Sequence, residues 1–126
     1  MADTPDFHAG PSLRMMAMPC DTNANGDIFG GWLLSLMDLA GSAKAKIRAK
    51  SRVTTIGIEA MKFHHPVKVG DEVSCFCEIT KIGRTSIQIK VEAWVRNYAS
   101  GDERQVTEGL FTYVALDNQG QKTPIV

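Results

Sequence analysis

The pattern of apolar and polar positions divides this chain into one long helix followed by a run of strands. Residues 30–49, GGWLLSLMDLAGSAKAKIRA, are rich in alanine and leucine, hold no proline, and carry lysine and arginine towards their end. Basic residues there complement the negative pole of the helix dipole, so the pattern predicts a helix over 30–49. Its first turns are apolar on nearly every side, which predicts that they are surrounded by protein.

Residues 86–96, SIQIKVEAWVR, alternate between apolar and polar side chains, the pattern typical of a half-buried strand. The face predicted to be buried carries Ile87, Ile89, Val91, Ala93 and Val95. Further strands are predicted over 52–63, 72–82 and 104–116, with a short one within 12–18. The turns suit antiparallel pairing, so we expect an α+β fold with about five antiparallel strands around one central helix. One sheet leaves part of the helix open, and we therefore expect a homo-oligomer.

Composition and charge exclude several classes of protein and indicate a single small domain. A chain of 126 residues is about one domain long, and we expect that domain over 12–120, between tails at 1–11 and 121–126. Fourteen basic and fourteen acidic residues give no net charge that would attract nucleic acid. No apolar run reaches the roughly 18 residues of a membrane span, and the N-terminus lacks the pattern of a signal peptide. We expect a cytoplasmic protein that binds neither nucleic acid nor membrane.

The cysteines and histidines do not suggest a metal site. Cys75 and Cys77 are two residues apart, on one face of a predicted strand, where a strain-free disulfide between them is disfavoured. With Cys20, they are expected to be small buried apolar residues in a reducing compartment. Zinc would need more ligands nearby, and the adjacent His64 and His65 would point to opposite faces of extended chain.

Asp38 is an unpaired carboxylate inside the apolar segment 26–43, GDIFGGWLLSLMDLAGSA. An ionised carboxylate that leaves water is costly unless it is paired or hydrogen-bonded. At about 100° per residue, Asp38 shares a narrow helical stripe with Gly31, Ser35 and Ser42, where a ligand or another helix can approach the backbone. The residues alone leave two interpretations open: a catalytic carboxylate, or a carboxylate that caps or pairs with a buried arginine beside a tightly packed helix.

Three segments carry a resemblance to a known family: MPCDTNANGDIFGGWLLSLMD, FHHPVKVGD and KIGRTSIQIKVEAWV. They resemble the acyl-CoA thioesterases of the hotdog-fold superfamily, specifically the bacterial YciA-like family, and the likeness spans nearly the whole predicted domain. It implies a long helix wrapped by an antiparallel sheet, and dimers with a continuous sheet that often assemble as trimers of dimers. It also implies hydrolysis of fatty or short acyl-CoA to free acid and coenzyme A, with no cofactor beyond the coenzyme A of the substrate.

The resemblance also implies roles for individual residues. The aspartate matching Asp38 is the catalytic carboxylate, and the asparagine matching Asn23 helps to position the water or the thioester. Thioester hydrolysis also needs donors for the oxyanion, which backbone N–H groups of Gly30 and Gly31 can supply at the positive helix end; we favour Gly31. Asp38 can act as general base or as nucleophile. In the family, the loop of one subunit meets the helix of its partner, so we expect Asn23 and Asp38 of different chains to form each site.

The turn at residues 83–86, GRTS, is where the superfamily commonly meets the nucleotide end of coenzyme A. Gly83, Thr85 and Ser86 can donate hydrogen bonds to phosphate, and Arg84 can make charge-assisted ones. The simpler interpretation is an ordinary hairpin turn with an exposed arginine.

The segment HHP at 64–66 departs from its relatives, which commonly carry an apolar–basic pair before the proline. The difference affects the wall of the acyl or pantetheine channel. His64 and His65 are expected to line a loop edge without an acid–base role.

Three other functions are compatible with the same fold. Hotdog dehydratases use a loop histidine and a glutamate on the partner's helix, whereas this helix carries Asp38 and no His-x-Pro-Gly-like segment precedes it. A non-catalytic acyl-CoA sensor would need an attached DNA-binding module, for which 126 residues leave no room. A purely structural or acyl-CoA-binding oligomer is the remaining alternative, and release of free thiol from acyl-CoA would distinguish it from an enzyme.

Overall fold

The structure is a computed structural model that describes residues 10–126, so most of the predicted N-terminal tail lies outside the described residues. The chain runs from a short strand through one helix into four long strands. The elements are β1 (Leu13–Met16), a 3-10 turn (Pro19–Asp21), α1 (Gly30–Ala49), β2 (Arg52–Phe63), β3 (Glu72–Ile82), β4 (Ser86–Arg96) and β5 (Glu103–Leu116).

The five strands form one antiparallel sheet in the order β1-β3-β4-β5-β2. The predicted α+β class, the helix and all five strands are confirmed, and β5 begins one residue before the prediction. β2 is an edge strand with two irregularities, one after Thr55 and one after Glu59, and Ala60 has a positive φ of 55°. Such bulges increase the local twist and bend of a strand.

The core lies between the inner face of the sheet and one side of α1. The predicted inner residues of β4 are all buried, as are Leu33, Leu36, Met37, Ala40 and Ala45 of the helix. On β5, the rings of Phe111 and Tyr113 stack with centroids 6.4 Å apart. The alternating pattern of β4 therefore identified the inner face correctly.

The first turns of α1, which are expected to be surrounded by protein, are covered on one side only in the single chain. Gly31 and Ser35 are exposed, and Leu39 is 60% exposed. The sheet covers only one side of the helix, and an apolar pattern does not distinguish a side buried by its own sheet from one left for another chain. None of the helices in the described part of the chain is long and apolar enough to cross a membrane.

Candidate active site

Asp38 is half-buried and is held by two hydroxyl groups from the sheet. Its Oδ1 atom accepts hydrogen bonds from Oγ1 of Thr55 at 2.8 Å and from the hydroxyl of Tyr113 at 3.0 Å. Thr55 on β2 and Tyr113 on β5 lie directly opposite each other in the strand register. One cross-strand pair therefore donates both bonds, and the register of β2 against β5 determines where the carboxylate sits.

The second carboxylate oxygen, Oδ2, has no hydrogen-bond partner among residues 10–126, and no lysine or arginine of that range forms an ion pair with Asp38. Among the described residues, Asp38 is therefore not the partner of a buried arginine. Hydrogen bonds from hydroxyls stabilise a carboxylate in its ionised form. One oxygen is thus fixed, and the other is available for chemistry.

Neither hydroxyl partner was recognised from the sequence. Burial, the charge of Asp38 and the hydrogen bond to Asp38 raise the pKa of Tyr113 far above its ordinary value, with a smaller contribution from Cys77. The phenol therefore stays protonated and remains a donor. One feature of the sequence could have identified Tyr113: the residue lies on the inner face of the predicted strand β5, and a buried tyrosine hydroxyl requires a hydrogen-bond partner.

Asn23 lies in the loop between the 3-10 turn and α1, which an isolated bridge between Thr22 and Ile28 closes. Its Oδ1 atom accepts hydrogen bonds from the backbone N–H groups of Asn25 at 2.9 Å and Asp27 at 3.2 Å. The side-chain oxygen therefore shapes the loop, and its exposed amide N–H₂ group has no partner among the described residues. The structure records no contact between Asn23 and Asp38 of the same chain, so their pairing across two chains stays a prediction.

Gly30 and Gly31 are exposed at the start of α1. The preceding residue, Phe29, makes no side-chain cap hydrogen bond. The first N–H groups of a helix have no intrahelical acceptor, so an uncapped start presents free donors at the surface. Gly31 precedes Asp38 by seven residues, or about 10 Å along the axis at about 1.5 Å per residue.

A pocket of about 340 Å³ opens beside Gly30. Its lining residues are Ile28, Gly30, Leu33, Phe63, His64, His65, Pro66 and Val67. Ile28, Leu33 and Val67 are buried and make an apolar floor, whereas Phe63, His64 and His65 are exposed. The segment HHP at 64–66, which is expected to affect the wall of the acyl or pantetheine channel, thus lines this pocket. A larger pocket of about 420 Å³ lies at the far end of β4, among mostly polar residues, and holds none of the predicted site residues.

The turn at 83–86 joins β3 to β4. The N–H of Gly83 donates to the carbonyl of Ser86 at 2.8 Å, and a Cβ at Gly83 would lie 2.7 Å from Oγ of Ser86, so a side chain there would displace the Ser86 hydroxyl. Arg84 is exposed and has no ion-pair partner in the described part of the chain. Ile87, the residue after the turn, lies opposite Tyr113. The turn is therefore at the end of the sheet that carries the hydroxyl partners of Asp38.

The C-terminal residues run along this same end of the sheet. The N–H of Ile125 donates to the carbonyl of Arg84 at 2.8 Å, and that of Thr123 donates to the carbonyl of Ala115 at 3.0 Å. Residues 121–126 thus fix the backbone of the turn while the Arg84 side chain stays exposed.

The cysteines differ in their environments. Cys75 is buried, which raises the pKa of its thiol to about 12, and it behaves as a small apolar residue. Cys20, in contrast, is exposed, with its Sγ 3.6 Å from Oδ1 of Asp21, so its predicted burial is wrong: the short turn that holds it lies at the surface. All three thiols are free, and residues 10–126 contain no group of three or more potential metal ligands.

Comparison with known proteins identifies the class to which this architecture belongs. The model of the thioesterase superfamily matches residues 25–98, so the chain is a member of that superfamily. Within it, the chain belongs to the YciA-like acyl-CoA thioester hydrolases. It is 52% identical over 116 residues to acyl-CoA thioester hydrolase YciA of Salmonella typhimurium, covering 90% of this chain and 87% of that protein.

Solved structures agree with the assignment. A hexameric hotdog-fold thioesterase of Campylobacter jejuni is 41% identical, with a TM-score of 0.89 over 92% of this chain and 90% of that one. An alanine variant of a hexameric broad-specificity acyl-coenzyme A thioesterase is 50% identical, with a TM-score of 0.90 over 92% of this chain and 86% of that one. The helix and sheet described above are therefore a hotdog fold.

Proposed function

We propose that this chain hydrolyses acyl-CoA thioesters to a free acid and coenzyme A, with Asp38 as the catalytic carboxylate. The observation that carries the proposal is the geometry of Asp38: two hydroxyls hold Oδ1, and Oδ2 is unpartnered among the described residues. A carboxylate fixed in this way is oriented before substrate arrives, which is what positioned acid–base or nucleophilic catalysis requires. The name of the YciA relative supports the substrate class.

Two reaction courses use Asp38 in this position. As a general base, it accepts a proton from water, the water oxygen bonds to the acyl carbon, and the C–S bond breaks to release the thiolate of coenzyme A. As a nucleophile, Oδ2 attacks the acyl carbon, the thiolate leaves, and water then hydrolyses the mixed anhydride. In both, the thiolate takes up a proton after it leaves, and the oxyanion on the carbonyl needs donors.

We infer that the donors come from a second chain. Asn23 and Gly31 are exposed and carry N–H groups that can donate hydrogen bonds. Gly31 is about 10 Å from Asp38 along the helix. That distance is too long for Gly31 and Asp38 of one chain to reach the same carbonyl. A dimer in which the Asn23 loop of one chain meets the Asp38 helix of the other would complete each site. The open side of α1 and the free edge of β2, where Ile56 is 60% exposed, support such a dimer.

The hexameric assembly of similar thioesterases supports a trimer of such dimers. In this arrangement the apolar pocket beside Gly30 receives the acyl or pantetheine chain, and Gly83, Arg84, Thr85 and Ser86 bind a phosphate of coenzyme A. The reaction needs no cofactor beyond the coenzyme A of the substrate. The three cysteines are free, as is usual in the reducing cytoplasm, and this supports a cytoplasmic location.

The test is thiol release from a series of acyl-CoA chain lengths, with Asp38→Asn as the decisive variant. Asparagine keeps the shape but can serve neither as base nor as nucleophile, so hydrolysis should fall at least about 100-fold. Asp102→Asn, in the exposed loop before β5, removes the same charge far from the site and should act as wild type. Wild-type protein that releases thiol no faster than buffer would overturn the proposal. A folded Asp38→Asn variant with normal turnover would overturn the role of Asp38.

A further inference from the structure

We infer that Tyr113 is a positioning residue for Asp38, and that Gly41 is a glycine because the Tyr113 hydroxyl occupies the space of a side chain there. The inference rests on the proposed function, since it concerns how the catalytic carboxylate is held. Tyr113 lies 75 residues from Asp38 in sequence, and β5 brings it against the helix.

The Tyr113 hydroxyl contacts two atoms of the same residue. It lies 3.0 Å from Oδ1 of Asp38 and 3.1 Å from the Asp38 backbone oxygen. A hydroxyl has a single hydrogen to donate, and an ionised oxygen is the stronger acceptor. Placed between the two atoms, the hydroxyl holds the carboxylate close to its own backbone and so restricts side-chain rotation of Asp38.

The approach of the tyrosine depends on Gly41, one turn beyond Asp38. A Cβ built on Gly41 would overlap the Tyr113 hydroxyl, and it would lie 3.0 Å and 3.1 Å from the ring atoms Cζ and Cε2. Glycine inside a helix is less favourable than alanine. The contact with Tyr113 explains why the helix carries glycine at this buried position.

The ring itself is held independently of its hydroxyl. Tyr113 is fully buried and stacks on Phe111 at an interplanar angle of 11°. Phenylalanine at 113 would keep the ring and its stacking while removing only the hydrogen bond. This separation makes the inference testable with a variant that disturbs little of the core.

Tyr113→Phe should lower kcat about 10-fold with little change in KM, the scale of one hydrogen bond to a charged group. The acid limb of the kcat–pH profile should move to higher pH, because the ionised form of Asp38 loses a donor. Cys77 on β3 is the other titratable group acting on Tyr113, and burial raises its pKa, so it does not produce the acid limb. Tyr98→Phe is the matched control: that tyrosine is 79% exposed, and the variant should act as wild type.

Gly41→Ala provides a second and independent measurement. The new methyl group should displace the hydroxyl, lower kcat and move the acid limb in the same direction. In the Tyr113→Phe background, the further loss caused by Gly41→Ala should be smaller than in wild type, because the displaced atom is already gone. A positioning role predicts this non-additive pattern.

Three results would overturn the inference. They are a folded Tyr113→Phe enzyme with wild-type kcat and acid limb, a folded Gly41→Ala enzyme with an unchanged acid limb, and equal losses from Gly41→Ala in both backgrounds. The Gly41→Ala variant keeps the tyrosine and decides the question if Tyr113→Phe does not fold. Failure of the proposed function is distinct, because wild-type protein would then release no thiol. An enzyme that depends on Asp38 but not on the Tyr113 hydroxyl would refute only the positioning role.

Discussion

The two halves of the candidate site differ in how far a single chain completes them. The carboxylate half is built by α1, β2 and β5, and its central group, Asp38, has two fixed donors. The donor half consists of Asn23, in the loop before α1, and of Gly30 and Gly31 at the uncapped helix start, and all three are exposed. One half is organised by the fold of the chain itself, whereas the other presents its N–H groups to solvent.

The physical reason for the difference is the cost of leaving each group unpaired. A half-buried carboxylate without a partner would destabilise the folded chain, so hydroxyls must satisfy it before any assembly takes place. Exposed N–H groups are hydrated, and they cost little until a partner or substrate covers them. The chain can therefore complete the charged half alone and leave the donor half to a second chain.

The largest expected effect comes from mixing two inactive variants. Asn23→Ala breaks the donor half, and Asp38→Asn breaks the carboxylate half. If each site takes its halves from different chains, a mixed dimer holds one doubly broken site and one intact site. Unfolding and refolding the two variants together should restore up to about a quarter of wild-type activity, since about half of the dimers are mixed and each has one good site of two.

Each variant refolded alone controls for recovery of activity during refolding. Native mass spectrometry of differently tagged chains shows whether mixed dimers have formed. If both variants are inactive and the mixture contains mixed dimers yet gains no activity, both halves of each site come from one chain.

A smaller loss of activity is expected when a hydrogen bond to Asp38 is removed and the carboxylate itself is kept. Thr55→Val replaces the hydroxyl that lies 2.8 Å from Asp38 with a methyl group of similar shape. Loss of one hydrogen bond to a charged acceptor should lower kcat about 10-fold or somewhat more. Thr55→Ser keeps a hydroxyl and should retain most of the activity. Equal activity of the valine and serine variants would show that the hydroxyl is dispensable.

The sequence predicted the elements well because periodicity is local. The helix, the strands and the inner face of β4 all follow from the spacing of apolar side chains within short segments. An open side of α1 was expected, but the residues that lie on it were not, since an apolar residue such as Leu39 has the same pattern whether its own sheet or another chain covers it. Exposure of Leu39 became visible only in the folded chain.

The candidate site shows the same division between local and long-range information. Asp38 stood out because it interrupts an apolar helix, which is a local signal. Thr55, Tyr113 and Gly41 did not, because their roles depend on the register between β2 and β5 and on the contact of β5 with α1. Hydrogen bonds that span 17 and 75 residues are properties of the fold rather than of any short segment.

Arg84 tests whether the turn at 83–86, at the end of the sheet that holds Asp38, belongs to the substrate site. If its guanidinium binds a phosphate of coenzyme A, Arg84→Ala should raise KM for acyl-CoA several-fold, up to about 10-fold for an exposed charged group. An acyl-pantetheine substrate, which lacks the nucleotide, should be nearly unaffected. Arg104→Ala removes the same charge at the other end of the sheet and serves as the control. Equal losses on both substrates would assign Arg84 to the fold or the chemistry.

The smallest expected effect concerns the pocket beside Gly30, on the donor side of the site. Phe63 is 60% exposed at its rim, and its ring would lie 3.8 Å from a Cβ at Gly30, so Phe63→Ala removes part of an apolar wall without opening the core. Each methylene that loses apolar contact costs a fraction of the roughly 1–3 kcal/mol that full enclosure provides. If the acyl chain occupies the pocket, the increase in KM should grow from short to long acyl-CoA and reach only a few-fold. An equal increase for every chain length would place pantetheine against Phe63 instead, and no increase at all would remove the pocket from the substrate path.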